Sequence, residues 1–266
     1  MSDTGRSKVF LADNSDAGMQ EAVRRAQTSF GYFWREVAWE RRRIIPGLDL
    51  ACVKAPFSDG EADTSTRGNP SVEQMWLGDV DFDGQFVSGT LLNSPNWVKS
   101  VKAGDEARLR LNEITDWMYA IDGVVYGAFT VNLLRSRMEV HERNDHDRAW
   151  GLDFGDPHNV KLVPAQPKTS GTGTADIPEH PMSESMAPSL RSRLTEDRSM
   201  LRAKDDRGWE LMHDLALAGS AAGVAILLEC GADPNAITAD GMTPLQLARS
   251  LGWNRVVSLL ISKGAK

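Results

Sequence analysis

The C-terminal end of this chain repeats itself at a fixed offset of 33 residues, and that period restricts its fold more than any other feature. Gly208, Gly219 and Gly231 recur as Gly241, Gly252 and Gly264, and the apolar run Val224-Ala225-Ile226-Leu227-Leu228 recurs as Val257-Ser258-Leu259-Leu260-Ile261. A period of this length holds one turn and two short helices, a unit too small to bury its own apolar face. Such units are stable only when stacked, and two copies are fewer than the three or so that a self-sufficient stack needs. The missing apolar cover must come from elsewhere in the chain or from a partner.

The second copy, Asp240-Gly241-Met242-Thr243-Pro244-Leu245-Gln246-Leu247-Ala248, resembles the ankyrin repeat. In the first copy Glu210 and Leu211 stand where that family has Thr-Pro, while Met212 and His213 fit. The resemblance implies a protein-binding surface and no chemistry, with His213 securing a turn by hydrogen bonding. It also implies contact through the turn tips and first helices. Those positions are Asp205, Asp206, Arg207 and Trp209 in the first copy and Ala239, Asp240 and Met242 in the second. Trp209 and Met242 would be exposed apolar anchors, and Trp253 replaces a residue that is usually polar. The alternative for these side chains is packing against the first domain.

With 266 residues, 41% hydrophobic and 25% charged, the chain has room for one large or two modest soluble domains. No apolar run is long enough for a membrane span, and the N-terminus lacks a signal peptide's basic start and apolar core. Cys52 and Cys230 lie far apart inside apolar patterns, as expected of reduced thiols in the cytoplasm. The net charge is −7. Of the charged residues up to Val163, 19 are basic and 25 acidic, so the first domain carries most of the imbalance. That argues against nucleic acid as a direct ligand and suits a basic protein partner.

Upstream of the repeats the pattern is α+β. Apolar residues at three- and four-residue spacing predict a helix over residues 15–43, with Gly31 loosening its middle. The Arg41-Arg42-Arg43 end is expected to answer the helix dipole and face solvent, with contact to an anionic ligand as the alternative. Strand-like segments follow over 48–55, 74–82, 85–93, 106–114, 117–121 and 124–129. Asp83-Gly84 and Asp122-Gly123 read as two-residue hairpin turns. Short helices are expected over 96–101 and over 131–138, the latter capped by Thr130. Residues 139–163 fit no pattern. The expected division is an N-terminal antiparallel sheet with packed helices over 1–163, a flexible Pro/Ser/Thr/Gly linker over 164–188, and a small all-α module over 189–266, where a lead-in helix over 189–204 precedes the repeats.

The N-terminal part resembles the YegJ-like family of bacterial domains of unknown function. The residues that carry this are Lys54-Ala55-Pro56-Phe57, Glu73-Gln74-Met75-Trp76, Gly89-Thr90-Leu91-Leu92-Asn93, Lys102-Ala103-Gly104-Asp105, Ile114-Thr115-Asp116-Trp117-Met118-Tyr119 and Gly127-Ala128-Phe129-Thr130. Gln74 stands where that family commonly has histidine. YegJ-like domains and short ankyrin arrays both occur among immunity proteins of bacterial toxin systems, including type VI secretion. The two resemblances together imply a cytoplasmic protein that binds and occludes a cognate toxin; were that toxin a nuclease, its basic groove would complement an acidic inhibitor. An ankyrin adaptor for a cellular protein is the alternative.

Asp79, Asp81 and Asp83 alternate, so one strand face would carry all three, as a solvated hairpin face or as an acidic stripe for a partner's basic side chains. The cluster His141, Glu142, Asp145, His146 and Asp147 lacks zincin spacing and reads as a charged loop. Asp116, Trp117 and Thr130 would frame a cleft if the domain were an enzyme. The absence of a nucleophile-base pairing or phosphate loop makes a non-enzyme without cofactor or metal the expectation.

Overall fold

The helix expected over residues 15–43 is two helices, α1 (Ala17–Thr28) and α2 (Phe30–Glu40), which join different parts of the protein. A computed structural model describes residues 16–60, 72–164 and 177–266. Their chain contacts form two compact units. The first holds the residues up to Thr28, Leu48–Val80 and Ser88–Leu162; the second holds Ser29–Gly47, Asp81–Val87 and Val163–Lys266. A break at Ser29 lets α1 serve one core and α2 the other. Gly31 has a packing role there, since a Cβ would come within 2.5 Å of the Ile177 side chain.

The sheet comprises β1 (Leu50–Phe57), β2 (Glu73–Phe82), β3 (Phe86–Leu91), β4 (Glu106–Arg110), β5 (Asp116–Ile121) and β6 (Val124–Gly127), in the spatial order β4-β3-β2-β1-β5-β6. It is antiparallel, as expected. Val53 of β1 lies opposite Leu77 of β2 on one side and Trp117 of β5 on the other. The Asp122-Gly123 turn has positive φ at both residues, 48° and 74°, the geometry that follows the right-handed twist of its strands. The other hairpin differs from expectation. Its loop runs over 83–85, because the Asp83 carboxylate takes the N–H groups of Gln85 and Phe86 at 2.8 and 2.7 Å.

Residues 96–101 are turns, not the expected helix. Their N–H groups are claimed by distant carboxylates: Glu73 receives Asn96 and Trp97, and Asp59 receives Lys99 and Ser100. The strand expected over 106–114 ends at Arg110 and closes with a 3₁₀ turn, Leu111–Glu113. Helix α3 (Phe129–Ser136) starts ahead of Thr130. The unassigned stretch contains α4 (Val140–Trp150), begun by a Glu139/Glu142 capping box and ended by Gly151 at φ 67°. The following residues lie along β6, where Asp153 accepts the Val125 N–H and donates its own to Gly123. The loop over 58–71 lies largely outside the described residues, as does the centre of the segment expected to be a linker.

In the first unit α1 packs on α3 and β5. Trp117 is fully buried and donates its indole N–H to the Ala26 carbonyl at 2.8 Å, which ties α1 to the sheet. Cys52, Met118, Val125, Val131 and Phe154 close a second apolar cluster. Burial pushes the Cys52 thiol far up, so it packs as an apolar group.

The second unit carries α5 (Pro181–Glu196), a 3₁₀ turn at Arg198–Leu201, and the repeat helices α6 (Leu211–Leu217), α7 (Ala221–Glu229), α8 (Pro244–Ser250) and α9 (Asn254–Ser262). Helix α5 begins earlier than the lead-in helix read from sequence. Pro181 suits a first-turn position, where its missing N–H costs nothing, and the His180 ring accepts the Met182 N–H at 3.1 Å. The two copies match bond for bond. Ser220 N–H to Leu215 carbonyl recurs as Trp253 to Ala248, and Ala232 to Leu227 recurs as Ala265 to Leu260. Capping boxes begin α6 at Glu210/His213 and α8 at Thr243/Gln246. Helix α6 packs on α8 and α7 on α9, while α5 extends the α7 row. A buried set joins α5 to α2: Arg35 and Glu36 pair at 2.5 Å, and the His180 ring contacts Glu36 at 3.2 Å and stacks on Trp39.

Candidate functional site

In the first unit four of the six family-resembling motifs meet around Asp116, through Lys54, Trp76, Trp117 and Phe129-Thr130. The Asp116 side chain is wholly buried, and each oxygen takes two donors: Oδ1 accepts from the Trp117 and Phe129 N–H groups, both at 2.9 Å, and Oδ2 from the Thr130 N–H at 2.8 Å and the Thr130 hydroxyl at 2.5 Å. Lys54 approaches the Thr130 hydroxyl at 3.3 Å and lies over the Trp76 ring. Burial pushes the Asp116 carboxyl up, against the pull of Lys54 and the bonds from Thr130 and Trp117. Burial pushes the Lys54 ammonium down, against the pull of Asp116. With four donors converging on two oxygens, Asp116 acts as an acceptor that caps α3 from β5. This replaces the expected cap by Thr130; the N-cap position is Ala128, in the left-handed region at φ 59°. Gly127, at φ 80°, is the one residue that fits beneath Trp117, whose ring a Cβ would meet at 2.4 Å.

The His141–Asp147 cluster is helical, not a loop. Arg135 clasps Asp147 through two nitrogens at 2.8 and 2.6 Å, the His146 ring contacts the same carboxylate, and Asp145 pairs with Arg148. Among the described residues no group of three or more His, Cys, Asp or Glu side chains could hold a metal ion.

The residues expected to meet a partner mostly meet one another. Asp81 is bridged by Arg41 at 2.6 Å and by Arg207 at 3.6 Å, so Arg41 answers a carboxylate as well as a dipole. Asp83 is spent on its own turn. Asp79 is exposed, in the left-handed region at φ 49°, just before the strand passes into the second unit. Of the three, Asp79 alone has the free aspect an acidic stripe would need. Asp205 caps its loop by accepting the Arg207 and Trp209 N–H groups; burial lifts its carboxyl, but those bonds and the Arg207 charge outweigh burial and hold it below the ordinary value. Arg207 also pairs with Asp205 at 3.0 Å, reaches Asp214 at 3.8 Å, and covers the Trp209 ring.

Neither tryptophan is an exposed anchor. Trp209 is 5% exposed and Trp253 is 3% exposed. The Trp253 indole donates to the Leu217 carbonyl at 2.9 Å and lies against Gly219, where a Cβ would come within 2.5 Å of the ring. It thus seals one repeat onto the other. Met242 is half-buried; its sulfur receives the Gln85 amide at 3.2 Å, and Leu247 of α8 fills the space beside Gly84. Asp240 is exposed at its turn tip. Residues Asp81–Val87 of the same unit therefore take up part of the face that ankyrin repeats ordinarily offer, while Asp205, Asp206, Arg207, Ala239 and Asp240 stay exposed. His213 secures its turn as expected: Nδ1 accepts the Glu210 N–H at 3.0 Å, leaving Nε2–H for the Ala236 carbonyl at 3.1 Å. Burial pushes this ring's pKa down, against the pull of Ala236 and Glu210.

A family model described as an uncharacterized protein conserved in bacteria, DUF2314, matches residues 16–154, and an ankyrin repeat model matches residues 240–266. A protein of Neisseria meningitidis serogroup B, named for its ankyrin repeat, is 38% identical over 257 residues, covering 96% of this chain and 98% of that protein. The uncharacterized protein YegJ of Escherichia coli K12 is 31% identical over 86 residues, 32% of this chain and 50% of its own length. The crystal structure of the human ASB11 ankyrin repeat domain aligns with a TM-score of 0.27 at 29% identity, over 33% of this chain and 41% of that one.

Proposed function

This chain belongs to the bacterial DUF2314 family and ends in ankyrin repeats, a protein-interaction module, and from that premise we propose that it is a non-catalytic inhibitor that captures a cognate bacterial toxin by stoichiometric occlusion. The repeat unit carries the reading: two copies matched in their turns and caps present a protein-binding scaffold. The commitment of Asp116 to the start of α3 favours a first unit that acts as a scaffold. The immunity role rests on the company that these two kinds of domain keep. The net charge of −7 suits a toxin with a basic surface, since long-range attraction would speed the encounter. We place the protein in the cytoplasm, where Cys52 and Cys230 would remain reduced; among the described residues no helix is long and apolar enough to cross a membrane.

The test is affinity purification from the native bacterium. One stoichiometric partner, toxic when expressed alone and cured by this chain, is the expected result. A spread of unrelated housekeeping proteins would contradict it and point to an adaptor.

A further inference from the structure

In the two repeat rows, α6 packs on α8 and α7 on α9, and α5 adds a third helix to the α7 row alone. On the α5 side of α6 there is instead a groove of about 330 Å³, open to solvent and lined within the second unit. Its surface is apolar, formed by Trp39 at the end of α2, Met186 and Leu190 of α5, and Leu215 of α6. Met186 is 38% exposed, while Trp39 is 3% exposed with an indole N–H that has no partner among the described residues. The charged side chains lining the groove are both arginines, Arg42 and Arg193. Arg42 lies over the Trp39 ring, with part of its charge answered by Asp214. Arg193 is exposed and has no ion-pair partner among the described residues.

We propose that this groove is the docking site of the repeat unit, and that it takes an amphipathic helix of a partner protein whose apolar face is flanked by carboxylates. Two observations combine here. Asp81–Val87 takes up the apolar part of the ordinary ankyrin face, through Asp81 on Arg207, Gln85 on Met242 and Gly84 on Leu247, and leaves exposed there chiefly the polar turn tips. The groove, in contrast, lies where a preceding repeat would set its first helix against α6, and a partner's helix there would continue the stack. Apolar side chains would fill the groove, and acidic groups beside them would meet Arg42 and Arg193. Attraction to a basic toxin surface at long range and an acidic helix in the groove are compatible, because the first sets encounter and the second sets the seat.

This inference rests on the second unit being a protein binder, but not on the partner being a toxin. The test is a phage-displayed library of amphipathic helices of about 16 residues, selected on the full-length chain. Enriched helices should carry Asp or Glu beside an apolar face. Met186→Arg, at an exposed position, should weaken their binding about tenfold or more with an unchanged melting temperature. Arg193→Glu should shift preference toward Lys-flanked helices. Selection of basic or uncharged helices, indifference to both substitutions, or no enrichment would each overturn the proposal. If a toxin is captured and cured equally by wild type and Met186→Arg, the groove assignment fails and the toxin reading stands. If no toxin exists but acidic helices select as described, the reverse holds.

Discussion

Two faces of the repeat unit carry arginines beside a tryptophan, and they have opposite fates. At the turn tips, Arg207 covers Trp209 and is answered by Asp205 and Asp81 of the same unit. At the α5–α6 groove, Arg42 covers Trp39, yet Arg193 is unanswered among the described residues and the apolar surface is open. The difference teaches that a repeat family's habitual contact surface need not be where a given member has room. In this chain Trp209 and Met242 of the tip face pack within their own unit, and the groove keeps its apolar surface open.

The comparison breaks most visibly at Trp253. If it is core, Trp253→Ala should cost about 3–5 kcal/mol in chemical denaturation of the repeat unit; an exposed anchor would leave stability unchanged. Next is Gly84, at φ 95° and against Leu247. Gly84→Ala should destabilise by about 1 kcal/mol from its positive φ alone, and by about 2–3 kcal/mol if the loop is also held against Leu247. His213 gives a pH signature. Its folded pKa is lowered, so the unfolded chain binds the proton first and stability should fall as pH drops below about 6.5. Melting temperatures of His213→Gln should lose that part of the pH slope while sitting lower at neutral pH. Arg207→Ala, removing half-exposed ion pairs, should cost less than about 1 kcal/mol. Met186→Arg, in the open groove, should leave stability within about 0.5 kcal/mol, and a larger loss would mean that the groove is internal packing.

What the sequence disclosed follows the range of the interactions involved. The repeats were legible because each copy's turns and caps are local: Gly208 and Gly241 have φ of 72° and 77°, and Gly219 and Gly252 both have 70°. The Asp122-Gly123 turn and the strand alternation were legible for the same reason. Helix α4 was not, because its inward contacts are polar or aromatic, Asp147 on Arg135 and Trp150 on Trp76, and leave no apolar stripe. The break at Ser29 was hidden because both helices keep an apolar face, and only the division into units gives those faces different destinations. Family habit offers a surface for Trp209, Trp253 and Met242, with packing as the alternative. Their burial depends on Gly219, Arg207 and Gln85, which no local pattern links to them. Arg42 is legible only as part of the basic run that ends the helix, and Arg193 carries no sequence signal, since a groove between non-consecutive helices is a tertiary product.

The most direct measurement of the central claim is a growth assay with the purified chain's co-captured partner. That partner, expressed alone, should arrest growth. Co-expression of the wild-type chain or of Arg207→Ala should restore it, and Met186→Arg should not, although it folds equally well. A partner without toxicity would contradict the proposed function. Rescue by Met186→Arg together with failure of Arg207→Ala would return the interface to the turn tips and contradict the groove.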